Sequence, residues 1–178
     1  MNRFPTSTSL DALASSFRDN ARRFVEALRA AGATVKIAAT YRPPERAYLM
    51  HYSFRIAKQG LDPQRVPAYP GVDIEWCHRS AAGEVDLEAS RRAAREMVQA
   101  YAIVRLPALA SRHTEGLAVD MSIRWQGSLK IKAADDAEIV IEQGPNTGDN
   151  VKLQEVGATY NLYHKVPNDP PHWSSDGR

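Results

Sequence analysis

Residues 117–123 alternate without a break: Leu117, Val119, Met121 and Ile123 are apolar, and Ala118, Asp120 and Ser122 fall between them. That is the period of a strand with one apolar face. Upstream the period changes. Across residues 9–31, Leu13, Phe17, Phe24, Val25 and Leu28 recur near helical spacing, and Gly32 stands where such a helix would stop. Thr34 to Thr40, with Val35, Ile37 and Ala39 on alternate positions, predicts a short strand that ends at Tyr41-Arg42-Pro43-Pro44. Because proline is tolerated in a first helical turn, a helix should follow to about Lys58. Residues 60–84 are broken by glycines and prolines and predict an irregular insertion or loop over the surface. A second long helix is expected from about Asp86 to Ala102, with Ala93, Met97 and Ala100 facing inward. Within Ser128–Gln143 the runs LKIKA and EIVIEQ flank Asp135-Asp136 and predict a hairpin. PNTGDN reads as a turn capping a helix at 150–158, and TYNLYHKV as a final strand before NDPPHWS. Helices and hairpin-connected strands without regular β-α-β alternation predict an α+β fold, an antiparallel sheet with flanking helices.

Composition narrows the class. A chain of 178 residues, 43% hydrophobic and 25% charged, suits a single domain with a real core. No apolar run approaches the ~20 residues of a membrane span, so stable membrane insertion is not expected. A net charge of +2 is too small to argue for nucleic acid. The opening MNRFPTSTSLDALASSFRDNARRF has no continuous apolar stretch of the secretory type, so synthesis in the cytoplasm without a signal peptide is expected. Cys77 is the one cysteine, which leaves no intramolecular disulfide and no cysteine-built metal site. A metal would have to be held by histidine and carboxylate.

Asp120 raises that possibility. It interrupts a strand of apolar and small residues, where an ionised carboxylate needs a partner. His113 precedes it by seven residues, a span of roughly 23 Å if fully extended. The chain must therefore double back for the two to meet, and Gly116 supplies a residue that accepts a positive φ and lets backbones approach. A catalytic zinc typically keeps three protein ligands and one open position. In NDPPHWS, a tight turn through Pro170-Pro171 would aim Asp169 and His172 at one place, His172 as third ligand and Asp169 as base. Each residue also has a plainer reading. His113 can be an ordinary satisfied histidine, Asp169 a cap for the turn at Pro170, Asp120 the partner of a buried arginine such as Arg42, and Trp173 a core residue. Asp73, Glu75 and His78 can line a substrate wall, bind a second metal or simply be solvated. Tyr163, His164 and Lys165 are candidates for a groove wall.

Taken together, Ser111-Arg112-His113-Thr114-Glu115-Gly116-Leu117-Ala118-Val119-Asp120 and Asp169-Pro170-Pro171-His172-Trp173 resemble the S-x-H-x-x-G-x-A-x-D and D/E-x-x-H-W motifs of the M15-type zinc D,D-carboxypeptidases and L-alanyl-D-glutamate endopeptidases. TYRPPERA resembles that family's strand-ending Tyr-Arg segment. The resemblance covers roughly residues 34–174, with 60–84 outside it. It implies a Hedgehog/DD-peptidase-like fold and Zn2+ held by His113, Asp120 and His172. It further implies Asp169 as general base and acid, Arg42 polarising the scissile carbonyl or stabilising the developing oxyanion, and Ser111 as a residue supporting the site. Beside these, Trp173 and Tyr163 are candidates for substrate binding or support. The activity implied is hydrolysis of a peptidoglycan stem-peptide bond. Aspartate rather than glutamate at 169 resembles the phage-endolysin-like branch that cuts L-Ala-D-Glu. The alternatives are a D-Ala-D-Ala carboxypeptidase or a catalytically idle wall-binding module on the same fold. A lysostaphin-like endopeptidase is disfavoured, since no H-x-H is present. A monomer acting at the bacterial wall or periplasm is expected, delivered by a holin, a phage particle or a secretion apparatus.

Overall fold

Phe17, Ala21, Phe24, Val25 and Leu28 form one buried stripe along α1 (Ser15–Ala30), the i, i+4, i+7, i+8 spacing of an amphipathic helix. The computed structural model describes residues 3–166 and 169–178. The chain divides into two compact units, one built from the chain up to Pro5 with Pro43–Ala110, the other from Thr6–Arg42 with Ser111–Arg178. Both the helices and the antiparallel sheets of the expected α+β class are present.

The second unit, here the sheet unit, carries β1 (Thr34–Ala39), β2 (Ala118–Arg124) and β5 (His172–Ser174) in one antiparallel sheet of order β1-β2-β5. A separate hairpin joins β3 (Leu129–Lys132) and β4 (Glu138–Ile141). It buries Leu129, Ile131 and Ile141 and leaves Lys130 and Lys132 exposed, as a half-buried pleat requires. The helix α4 (Val151–Thr159) is capped by Asn150, whose side-chain oxygen accepts from the Lys152 and Leu153 N–H groups. Trp173, Phe24, Leu28, Met121 and Leu153 lie together in the core, each essentially without solvent contact. Burying a side chain of this size is worth ~1.5–3 kcal/mol, so this core supports the sheet from one face.

One sequence expectation changes here. The final strand is not TYNLYHKV but His172–Ser174, and of the earlier segment only Tyr163 pairs, as an isolated bridge to Ser174. The nearness of the central strand β2 makes so short a strand worthwhile: it needs only three register partners.

In the other unit, here the helical unit, α2 (Pro44–Gln59) begins with proline in its first turn, and α3 (Leu87–Ala100) is capped by the Asp86 carboxylate, which accepts from Ala89 N–H. The inward face of α3 is Ser90, Ala94 and Val98 rather than Ala93, Met97 and Ala100; Met97 is only partly buried and Ala100 is exposed. Ala94 sits in the cluster of Tyr48, Leu49, Ile56 and Trp76, where a small residue lets aromatic rings come close. The 60–84 segment is irregular as expected but is not merely a surface loop. Val66, Tyr69, Val72, Ile74 and Trp76 pack into that same cluster, Trp76 Nε1–H donates to the Tyr48 hydroxyl at 3.0 Å, and that hydroxyl donates to the Pro67 carbonyl at 2.7 Å.

Candidate metal centre

Asp120 sits mid-way along the central strand, opposite His172 on β5 and Ala39 on β1. Residues directly opposite in an antiparallel pair share a face, so Asp120 and His172 project together while Val119 and Trp173, paired one step away, turn into the core. The β1–β2 ladder slips between Ile37 and Ala39, a bulge beside the carboxylate of the kind that re-aims side chains.

His113 reaches the same place by the expected reversal. Thr114 and Glu115 N–H donate back to the Ser111 carbonyl, Gly116 N–H to that of His113 and Leu117 N–H to that of Arg112. Gly116 has φ +71°, and a Cβ there would stand 2.9 Å from the Ala14 amide nitrogen. Both reasons for glycine, the left-handed conformation and the close backbone approach, therefore apply at this position. The Arg42 N–H donates to the His113 carbonyl at 3.0 Å, which ties the end of β1 to the turn.

The three side chains converge. His113 Nε2 and His172 Nδ1 each lie 3.1 Å from Asp120 Oδ1 and 3.3 Å from each other. The outer nitrogens are held by main-chain oxygens, which can only accept: His113 Nδ1 by that of Thr40 at 2.7 Å, and His172 Nε2 by that of Arg178 at 3.2 Å. With the proton of each neutral ring on that outer nitrogen, both inner nitrogens present lone pairs. Two nitrogen lone pairs and a carboxylate oxygen at such distances repel unless a proton or a cation sits among them. Among the described residues this is the one group of three or more His, Cys, Asp or Glu side chains placed to hold a metal ion, with its ligand atoms within 4.8 Å of one another.

The other way to relieve the repulsion is a proton in place of a cation. In that state burial alone would raise the Asp120 carboxyl, but hydrogen bonding and charge from His113 and His172 outweigh it and hold Asp120 well below the ordinary carboxylate range. For His172, burial disfavours the proton, yet the bond and charge of Asp120, then the Arg178 carbonyl and the Asp169 charge, leave its pKa raised. The partner of Asp120 is thus the histidine pair.

Asp169 is half-buried and opens the turn to His172, whose N–H donates to the Asp169 carbonyl at 3.1 Å. That turn is pinned twice more: Met121 N–H donates to the Pro171 carbonyl at 2.8 Å and His164 Nε2 to that of Pro170 at 2.9 Å. Asn168, the first residue of the NDPPHWS segment, lies outside the described residues. The Ser111 hydroxyl is buried with no hydrogen-bond partner among the described residues. Trp173 is fully buried, 5.2 Å between ring centroids from both Phe24 and His164, so it supports the site from behind and offers no surface to a substrate. Tyr163 exchanges main-chain hydrogen bonds with Ser174 and carries the Lys165 ammonium 4.6 Å from its ring centre. Asp73 and Glu75 are exposed, and with His78 they form no metal-holding group among the described residues.

Sequence reasoning missed the Thr40 and Arg178 main-chain oxygens and the Arg112–Asp176 ion pair, 2.6 Å from Nη2 to Oδ2. In that pair Arg112, and then the Arg178 N–H, hold the Asp176 carboxyl well below the usual range. Main-chain acceptors leave no side-chain signature in a sequence. His164 was visible, but as a groove wall rather than as a brace for the turn. No protein-family model matches the chain, and no curated protein matches it, so the family resemblance rests on the motif residues described above.

Proposed function

We propose that the protein is a zinc-dependent peptidoglycan peptidase with the Hedgehog/DD-peptidase-like fold, cutting a stem-peptide bond, in first place L-Ala-D-Glu. The single observation that carries this reading is the convergence of His113 Nε2, Asp120 Oδ1 and His172 Nδ1 with both outer ring nitrogens met by main-chain oxygens. Two imidazoles and one carboxylate are a donor set typical of catalytic zinc, and the outward N–H bonds are the support such ligands usually carry. When bound, Zn2+ would supply Lewis acidity and a water acidified to near neutrality.

The chain's own residues supply the rest. Asp169, three residues before His172 on a turn pinned by three hydrogen bonds, takes a proton on its carboxylate from the attacking water and passes it to the leaving amine. Arg42, whose N–H is fixed to the His113 carbonyl, offers a permanent positive charge to the carbonyl oxygen as it gains charge. Ser111, with its buried unpaired hydroxyl, backs the loop that carries His113. An aspartate at 169, one methylene shorter than glutamate, favours the endopeptidase over the carboxypeptidase. The substrate places the action at the bacterial wall.

Purified peptidoglycan fragments incubated with the protein, with chelator and with Zn2+ restored, test the reading by mass spectrometry. Chelator-sensitive products with a newly freed L-Ala end are expected. Loss of a terminal D-Ala instead would assign the carboxypeptidase, and intact fragments from a zinc-loaded sample would reject a peptidase in favour of a binding module.

A further inference from the structure

The two histidines are supported in unlike ways. The acceptor for His113 is Thr40, fully buried, with its own N–H on the Ser7 carbonyl and its hydroxyl on that of Ser9. The acceptor for His172 is Arg178, on the irregular segment after β5. Something must hold that segment in place, or the His172 ring would lose the bond that orients it.

We infer that Asp176 and Arg112 are positioning residues for the metal centre: their ion pair holds the Arg178 main-chain oxygen on His172 Nε2–H and thereby keeps Nδ1 turned toward Asp120. One carboxylate makes both connections. Asp176 Oδ1 accepts from the Arg178 N–H at 3.0 Å, closing a turn over Gly177, while Oδ2 accepts from Arg112 Nη2 at 2.6 Å and Nε at 3.2 Å. Ser174 Oγ donates to the same Arg178 oxygen at 3.0 Å, from a fully buried position on β5. Arg112 is the residue before His113; it is steadied by Glu115 at 2.5 Å, and its carbonyl closes the ligand-bearing turn by accepting from Leu117 N–H at 2.7 Å. The pair therefore links the turn that carries one histidine to the segment that orients the other. Neither side chain is a ligand, and each acts on the metal only through the geometry of the histidines.

This inference rests on reading the His113–Asp120–His172 group as a metal centre, and the test separates the two. Metal-free wild type and Asp176→Ala are compared by nitrogen-15 NMR of the imidazoles, then titrated with Zn2+. The wild type should show His172 protonated at Nε2, and the variant a mixture of tautomers with Zn2+ affinity lower by about 10–100-fold, the usual effect of losing an outer partner of a metal-bound histidine. His113, held by Thr40, should keep its tautomer in both and serves as the internal reference. Asp176→Asn, which retains an oxygen for the Arg178 N–H, should recover part of the loss, and Arg112→Gln should move in the same direction as Asp176→Ala. An unchanged His172 tautomer and unchanged affinity in folded Asp176→Ala and Arg112→Gln would overturn the inference, whatever their melting temperatures. Wild type that takes up no Zn2+ would overturn the metal reading itself, while the tautomer comparison, which needs no metal, would still decide the role of the pair.

Discussion

At the scale of single residues, the centre is a problem of crowded acceptors. The inner atoms of His113, Asp120 and His172 lie 3.1–3.3 Å apart, and with the ring protons on the outer nitrogens, against the main-chain oxygens of Thr40 and Arg178, all three present lone pairs to one another. A cation resolves the repulsion, so His172→Ala should purify without stoichiometric metal, read by elemental analysis. Stoichiometric zinc in that variant would place the third ligand elsewhere. Asp169 is different, because its proposed work is on protons. Asp169→Ala should keep its metal and lose about 10²–10⁴-fold in turnover, the range for a lost general acid or base. Turnover close to wild type would remove Asp169 from the mechanism.

At the scale of elements, β5 is three residues long and depends on what stands behind it. Its Trp173 packs against Gly157 of α4, and a Cβ at 157 would run into the Trp173 ring and lie 3.2 Å from the Leu162 carbonyl oxygen. Exchanging glycine for alanine inside a helix ordinarily gains ~0.5–1 kcal/mol, whereas forcing an extra methyl into a packed core costs ~1–3 kcal/mol. Trp173 has no room to yield, so the cost wins. Gly157→Ala should lower stability to chemical denaturation by about 1–2 kcal/mol, on the balance of those two terms, and weaken metal uptake because His172 precedes Trp173 on the same strand. A stabilised variant would show that the ring can move aside. In the helical unit the Tyr48 hydroxyl links α2 to the 60–84 segment. Burial raises its pKa, more than its bond from Trp76 lowers it. A tyrosine held above its unfolded value of about 10 stabilises the fold fully below that pH. The contribution is lost as pH rises from about 10 through the folded value. Unfolding midpoints should therefore fall above about pH 10, and Tyr48→Phe, at a lower starting stability, should show a shallower fall. An identical slope in the two proteins would assign the effect to other groups.

At the scale of the whole molecule, every residue proposed to bind metal or act on substrate belongs to the sheet unit: Arg42 and Ser111 at its chain crossings, His113, Asp120, Asp169 and His172 within it. Among the described residues no helix is long and apolar enough to cross a membrane. A ligand that binds only the folded form stabilises it by RT ln(1 + [L]/Kd), ~2.7 kcal/mol at a hundredfold excess over Kd. Saturating Zn2+ should therefore slow hydrogen exchange at β1, β2 and β5, the strands that carry or abut the ligands. Slowing confined to α2 and α3 would locate the metal in the other unit.

What the sequence determined by itself was whatever repeats along the chain or is spelled in side chains. The stripe of Phe17, Phe24, Val25 and Leu28 on α1, the alternation of Leu117–Ile123, the LKIKA and EIVIEQ hairpin, the need for glycine at 116 and the identity of His113, Asp120 and His172 as a group were all legible, because period and residue type are local properties. Tertiary structure alone decided the rest. The pairing of Asp120 with His172 is a matter of register between strands distant in sequence. The strand character of HWS came from its neighbour, the Ala94 face of α3 from the aromatic cluster it meets, and the core role of the 60–84 segment from Trp76 and Tyr69 finding Tyr48. The oxygens of Thr40 and Arg178 that meet the outer histidine nitrogens are main-chain atoms common to every residue, so only the folded path of the chain could single them out.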